Sequence, residues 1–251
     1  MTALAAARVI AQLGRGEPLR GRRLLFTSAL LFLPAVVAIL LAAFGRWGAG
    51  IFDQLLEIDL AFLVPFLPVT LLGGAVADEL DRGTAGYLFV RPAPREALLF
   101  GRLLAVLPTL LGSAAIALIV GFVALYARFL GDLPGALPHL AASMVAVLGG
   151  LLFYSVLALG GGAAFRKRPV AALLVGFVLD AALAHAPVVL RVLAPSHHLR
   201  VLAGLPDGGT IALPFVVPLW GSAIYLIVLL ALAVQFGIAR IRAIEMTGES
   251  A

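Results

Sequence analysis

The segment Asp78–Arg102 reads DELDRGTAGYLFVRPAPREALLFGR and forms a polar island between two long apolar stretches. Eight of its residues are charged, in a chain where only 12% of all residues are Asp, Glu, Lys or Arg. Each apolar flank is about as long as a helix that crosses a bilayer, which takes ~20 residues. The contrast predicts membrane-spanning helices joined by a loop that protrudes into water.

The composition of the whole chain indicates the same class of protein. Hydrophobic residues make up 63% of the sequence, and the mean hydropathy is +1.11, whereas soluble domains are about 45–50% apolar. The ~10-residue alternating segments typical of membrane strands are absent from the sequence. We therefore expect an all-α membrane protein with one transmembrane domain over residues 1–251. The sequence contains no cysteine, which excludes disulfides and cysteine metal sites.

Six spans are predicted, near residues 24–44, 55–77, 98–126, 137–165, 169–190 and 213–239. They divide the eighteen Lys and Arg residues unequally, with four on one side: Arg46, Arg128, Arg191 and Arg200. The fourteen others lie on the side of the island and both termini, and basic residues favour the cytoplasmic side. Both termini and the island are therefore predicted to be cytoplasmic. We expect a multi-pass protein of the cytoplasmic (inner) membrane that contacts lipid. The same bias accounts for the pI of about 10.4 without a nucleic-acid partner.

Two further segments are predicted to lie at the membrane surface. Residues 1–23 form a cytoplasmic interface segment in which Leu4, Ala7 and Ile10 favour an amphipathic helix that ends near Gly14. Residues 191–212 form an extracytoplasmic loop that can hold short interfacial or re-entrant helices. We interpret His197–His198 in this loop as surface residues, because an adjacent histidine pair alone is a weak metal signal.

Within the island, local signals predict a short amphipathic helix followed by a sharp stop. Leu80, Thr84 and Leu88 fall four residues apart, which places them on one helical stripe. Pro92 disfavours the helical conformation at the residue before it, so the helix should end there. Pro94 can then occupy the first turn of the next helix. The island is thus predicted to be a rigid lever with one face available for docking.

The island also contains the spacing E-x3-G-T-x3-L-x3-P-x2-R-x5-G-[KR], which runs from Glu79 to Arg102. This pattern resembles the loop between the second and third spans of the ABC transporter type-2 permease family, the membrane subunits of exporters. The layout of six spans with cytoplasmic termini is similar to that family over the whole chain. Two positions depart from the common pattern: Ala85 stands where leucine is frequent, and Arg102 stands where lysine is frequent.

The resemblance implies the type-2 ABC exporter (type V) transmembrane fold and a permease that couples ATP hydrolysis to export. In that family the loop docks on a separate cytoplasmic ABC ATPase subunit, and the permease pairs with a second copy of itself or a similar permease. The coupling residues implied here are Glu79, Gly83, Thr84, Leu88, Pro92 and Arg95. ATP and Mg would be bound by the partner subunit, so no cofactor is expected in this chain. The only lysine, Lys167, has no preceding glycine pattern of a P-loop, so the chain is not expected to be an enzyme itself.

Asp180 is the most unusual residue of the predicted spans, because a carboxyl near the middle of a span is costly. Together with His185 it is a candidate for the substrate path, and a structural hydrogen bond inside the bundle is the alternative role. Asp180 also leaves open a proton-coupled secondary transporter as the alternative function. Glu57 and Asp59 are interpreted as a hydrated rim at the outer end of the second span. The paired glycines of the second and fourth spans favour close helix packing.

Overall fold

The computed structural model describes residues 3–14, 22–74, 96–127, 129, 131, 133–165, 169–184, 186, 188–205 and 217–243. All regular elements in these ranges are helical. In chain order the helices are α1 (Ala3–Gly14), α2 (Arg22–Ala43), α3 (Ala49–Ile58), α4 (Val64–Leu72), α5 (Glu96–Tyr126), α6 (Leu133–Ala164), α7 (Pro169–Ala184), α8 (Pro195–Leu202) and α9 (Leu219–Arg242). A π-helical turn (Asp59–Leu63) joins α3 to α4, and a 3₁₀ helix (Val188–Leu193) precedes α8.

Four of these helices are long and apolar enough to cross a membrane. They are the continuous helix Ala49–Leu72, of 24 residues, together with α5 (31 residues), α6 (32 residues) and α9 (24 residues). About 20 residues are needed to cross the ~30 Å hydrocarbon layer, so the predicted class of all-α membrane protein is confirmed. The other two predicted spans fall on α2 and α7, which carry the shorter apolar stretches Ala29–Ala43 and Leu173–Ala184.

The second span differs from the prediction in where it begins. The helix starts at Ala49, six residues before the predicted start, and it ends at Leu72. Its irregular turn lies just before Pro65, whose ring has no N–H and crowds the carbonyl four residues back. The backbone there adopts a wider turn, in which the Val64 N–H donates to the Asp59 carbonyl.

Glycines permit close contact between helices at the end of the bundle where α4 and α6 end and α7 begins. A Cβ atom on Gly162 would lie 2.2 Å from the Gly73 carbonyl oxygen, and one on Gly160 would lie 3.0 Å from the Gly237 Cα. The side chain of Leu173 fills the space in front of Gly161. These contacts join α4, α6, α7 and α9, as the glycine pattern predicts. Gly149 is different, because nothing lies within 4 Å of its Cβ position.

Helix α1 packs on the beginning of α5. Ala7 and Ala97 are both buried, with exposed fractions of 1% and 0%, and Ile10 lies directly over Gly101. Arg8 remains exposed on the opposite face. The predicted amphipathic helix is therefore present and ends at Gly14. Part of its apolar face contacts α5, whereas the sequence led us to expect that face in the membrane interface.

We predict that Gly162→Ala destabilises the protein by about 1–3 kcal/mol, because the new methyl group would overlap backbone that has no room to move. Gly149→Ala, in the same helix, is the matched control and should be neutral or stabilising by up to ~1 kcal/mol, since alanine is the better helix former. Thermal unfolding of both variants in one detergent makes the comparison. Equal melting temperatures would contradict the glycine contact.

We also predict that Gly101→Ala loosens α1, since its Cβ would lie 2.6 Å from Ile10 Cγ2 and 3.1 Å from the Ala7 carbonyl oxygen. A docking loss of about 1–3 kcal/mol should raise the rate of tryptic cleavage after Arg8 roughly tenfold, because cleavage follows local opening. Gly112→Ala in α5 is the control, since that position faces open space. If both variants are cleaved at the wild-type rate, α1 is not held at Gly101.

Candidate functional site

The predicted site residues fall into two groups. The coupling residues Glu79, Gly83, Thr84, Leu88, Pro92 and Arg95 lie outside the described residues, as does His185. Their roles stay predictions. Asp180 lies in α7, and its side chain is only 8% exposed.

The Asp180 carboxylate accepts hydrogen bonds from two other helices. The Tyr154 hydroxyl of α6 donates to Oδ2 at 2.5 Å, and the Ser196 hydroxyl of α8 donates to Oδ1 at 3.1 Å. The Ser196 backbone N–H lies 3.5 Å from the same oxygen. The carboxylate therefore sits at the positive N-terminal end of α8, where a negative charge is stabilising. This geometry fits the structural role that the sequence left open, in which Asp180 fastens α8 to α6 and α7.

Helix α8 reaches deep into the bundle. Pro195 begins it, because a proline in the first turn needs no hydrogen bond to an earlier carbonyl. Its Leu199 side chain lies over Gly150, near the middle of α6, beside Val64 of α4. A methyl group on Gly150 would lie 2.6 Å from Val64 Cγ1 and 2.8 Å from Leu199 Cδ1. Gly150 thus provides the space in which α8 meets the middle of two long helices.

The histidine pair of α8 is buried, so our interpretation of it as a surface feature is wrong. His197 and His198 are 5% and 2% exposed. The Nε2–H of His198 donates to the Val192 carbonyl at 2.8 Å, which leaves Nδ1 to accept from the Ser222 hydroxyl at 3.0 Å. His198 is therefore a neutral connector between α8, the 3₁₀ helix and α9.

Tyr225 of α9 also contacts His198 and the 3₁₀ helix. Its ring stacks on the His198 ring with centroids 4.0 Å apart, and its hydroxyl donates to the Leu193 carbonyl at 2.7 Å. Since His198 uses both ring nitrogens, it has none left for a metal. Within the described ranges, no group of three or more His, Asp or Glu residues is placed to hold a metal ion.

An ion pair and a histidine–carboxylate hydrogen bond join α3 to α8 and α6. Arg200 Nη1 is 2.7 Å from Glu57 Oε1, and His139 Nε2 is 2.7 Å from Asp53 Oδ1. The carboxylate side chains of both pairs remain partly exposed, at 45% for Glu57 and 33% for Asp53. This agrees with a hydrated rim for Glu57. These contacts also hold α8 and α6 to α3.

Asp59 does not belong to this rim. It lies ten residues after the start of α3, which is about 15 Å along the helix at 1.5 Å per residue. There it lines a small apolar cavity between α2, the α3–α4 helix, α5 and α6. The prediction for Asp59 was wrong because its side chain faces the cavity between the helices, whereas Glu57, two residues earlier, faces Arg200. The four-residue spacing of Leu55, Asp59, Leu63 and Leu67 could have shown that Asp59 lies on an inward apolar stripe.

At the opposite end, an ion pair joins α5 to α9. Arg242 Nη2 lies 2.9 Å from Glu96 Oε1, and Glu96 is the first residue of α5. Glu96 lies inside the predicted coupling loop, residues 78–102, one position after Arg95. Sequence analysis did not identify it, because the two residues are 146 positions apart.

No protein-family model matches the chain, and no curated protein matches it.

We predict that Asp180→Ala destabilises the protein because it leaves the buried hydroxyl groups of Tyr154 and Ser196 without their acceptor. Each unsatisfied group costs about 1–3 kcal/mol. Asp53→Ala is the control, because it breaks a half-exposed pair worth less than ~1 kcal/mol. Thermal unfolding should show a clearly larger loss for Asp180→Ala. Equal losses would mean that Asp180 does not hold α8 in place.

Proposed function

We propose that this chain is the transmembrane permease subunit of an ATP-binding cassette exporter. The observation that carries the proposal is the spacing of Glu79, Gly83-Thr84, Leu88, Pro92, Arg95 and Gly101-Arg102, which resembles the coupling loop of type-2 permeases. A separate ATPase subunit would dock on that loop and supply the energy of ATP hydrolysis. The exporter would also need a second permease copy, either this chain or a similar one.

The contacts around the loop support this assignment. The described helices on either side of it, α4 and α5, are the two that a docked partner would move first. At the start of α5, Gly101 lies under Ile10 of α1, and Glu96 pairs with Arg242 of α9. The last glycine of the motif, Gly101, is therefore required for packing, since a side chain there would occupy the space that Ile10 of α1 fills. A displacement of the loop would be passed to α1, α5 and α9 together.

The proposal includes six crossings and the type-2 exporter fold. Helix α2 has 22 residues, about 33 Å, and is long enough to cross the hydrocarbon layer. Helix α7 has 16 residues, about 24 Å, and the proposed span over residues 169–190 would continue into the 3₁₀ helix. The distribution of fourteen basic residues against four favours cytoplasmic termini and a location in the cytoplasmic membrane.

The alternative, a proton-coupled transporter that uses Asp180, has weaker support. A proton carrier must exchange its proton with water during the cycle. The Asp180 carboxylate is buried and already accepts bonds from Tyr154 and Ser196. This arrangement favours a fastening role, so we retain the ATP-driven exporter as the proposed function.

The docking lever can be tested with a charge reversal at Glu79. When the tagged chain is purified from its native host, we expect a nucleotide-hydrolysing polypeptide to co-purify with it. Glu79→Arg should lower the co-purified ATPase activity roughly tenfold. The new positive charge would face the ATPase surface that accepts Glu79, and a loss of about 1.4 kcal/mol in binding free energy corresponds to tenfold. Gly83→Val should also lower the co-purified ATPase activity, because a β-branched side chain disfavours the tight turn that the Gly83-Thr84 pair allows.

Asp81→Arg is the matched control, since it makes the same charge change two residues away at a position outside the motif. It should retain the ATPase. If no ATPase activity co-purifies with the wild-type chain, the proposed function is wrong. If Asp81→Arg and Glu79→Arg lose it equally, the loop binds only through its net charge.

A further inference from the structure

Helix α9 is the least buried of the four long helices. Only 17% of its apolar segment is buried, whereas the other three have 39–50%. Its exposed face carries Ile224, Val228, Ala231 and Gln235, which follow one another at intervals of four, three and four residues. This spacing forms one straight stripe of the kind that packs against a second helix. Gly237 lies about 200° around the helix from Gln235 and contacts α5 and α6 inside the bundle.

The position of Gln235 along α9 places its amide within the hydrocarbon layer. Trp220 is 68% exposed near one end of the helix, and the guanidinium of Arg240 lies over the Phe236 ring near the other. Tryptophan and arginine are typical of the two membrane edges. The two residues are about 30 Å apart along the helix, which matches the thickness of the hydrocarbon layer. Gln235 precedes Arg240 by five positions and therefore lies about 7.5 Å inside that layer.

The Gln235 side chain needs a partner at this depth. Within the described ranges, no hydrogen bond to it occurs, although the side chain is exposed. The exposed Thr70 of α4 differs, because its hydroxyl donates to the Leu67 carbonyl of its own helix at 3.0 Å. Lipid tails offer neither donors nor acceptors, so an amide that faces them loses the hydrogen bonds that it makes in water. A second helix that carries a polar group at the same depth would restore them.

The amide is complementary to a second copy of itself. Copies of one chain insert into the membrane with the same orientation, so two α9 helices would run parallel with their Gln235 residues at one depth. Across a two-fold axis each residue can face its own copy, and each amide N–H can donate to the other's oxygen. Ala231 and Ala239, one turn to either side, are small and exposed. They would allow the two backbones to approach closely.

The charges at the end of α9 are compatible with the same partner. Arg242 lies seven residues after Gln235 on the same face, and its side chain is 62% exposed beside Glu96. Because Glu96 offsets this charge, two copies would meet without an uncompensated like-charge contact. Around a two-fold axis, the guanidinium of each copy can also approach the carboxylate of the other. The ion pair thus makes this end of the face complementary to itself.

We propose that this face of α9 binds a second copy of the same chain, with the two Gln235 amides hydrogen-bonded to each other inside the membrane. The interface goes beyond the proposed function, because association requires only this chain. It can therefore be measured without an ATPase partner and without transport.

Energy transfer between labelled copies in liposomes, measured as the lipid-to-protein ratio is raised, gives the dissociation constant of the pair. The chain has no cysteine, so a single cysteine introduced at Arg46, in the loop between α2 and α3, can carry the donor or acceptor dye. Gln235→Leu should raise the dissociation constant about fivefold, as expected for the loss of hydrogen bonds between membrane helices. Gln235→Asn keeps the amide and should stay within about twofold of the wild type.

Thr109→Val is the matched control, since it removes a polar group from the exposed face of α5. It should leave the dissociation constant unchanged. The proposal is overturned if the wild type is monomeric at every lipid ratio, if Gln235→Leu associates as tightly as the wild type, or if Thr109→Val weakens association equally.

Disulfide cross-linking in membranes tests the same face by position. Ala231→Cys should form a covalent dimer under mild oxidation, because the two copies meet at that residue. Val145→Cys in α6 is the control, since it is 60% exposed on another helix and should remain monomeric. Equal cross-linking at both positions would contradict the α9 interface. Failure of ATPase co-purification would leave these outcomes untouched, so the two proposals fail separately.

Discussion

A carboxylate inside an apolar helical bundle needs a donor or a cation, and this constraint determines how α8 packs against α6 and α7. Asp180 meets it by drawing Ser196, and with it the N-terminus of α8, to the side of α6 where the Tyr154 hydroxyl lies. An unpaired charge there would cost several kcal/mol. The described segment 188–205 therefore folds back into the bundle, although its sequence contains two histidines and two arginines.

Close backbone contact is the second constraint, and it acts at the other end. Gly162 against Gly73 and Gly160 against Gly237 bring α4, α6 and α9 together without side chains between them. Helices at this distance cannot slide independently, because any displacement brings backbone atoms into contact. Under the proposed function, a displacement of the loop between α4 and α5 would move α4, α6 and α9 together.

Sequence patterns predicted the elements that depend on local properties. The apolar runs predicted the long helices α5, α6 and α9, and the break after Leu13 predicted the end of α1. The errors concern polar residues whose partners are distant in sequence. The second span was predicted to begin at residue 55, whereas the helix extends back to Ala49 and includes Asp53, whose carboxylate hydrogen-bonds to His139 of α6. His198 is buried because Ser222 and Val192 satisfy its nitrogens, and neither pairing follows from spacing along the chain.

The candidate site shows the same limit. Asp180 was identifiable because a carboxylate within an apolar run is unusual by itself. Its hydrogen-bond partners were not identifiable, since Tyr154 and Ser196 lie in other helices and resemble ordinary bundle residues. Asp59 was misplaced because it was grouped with Glu57, although its side chain faces the cavity between the helices and that of Glu57 faces Arg200. The coupling motif depends on the resemblance, and its first six residues lie outside the described structure.

The two interior carboxylates are sterically connected through one glycine. Val64 follows the π-helical turn that begins at Asp59, and it meets Leu199 of α8 at Gly150. Because both side chains crowd the same backbone position, a change in the π-helical turn that moves Val64 also constrains Leu199. Helix α8 is fastened at its other end to Asp180 through Ser196. A change at the wide turn, where the backbone is least regular, would therefore reach the helix that Asp180 holds.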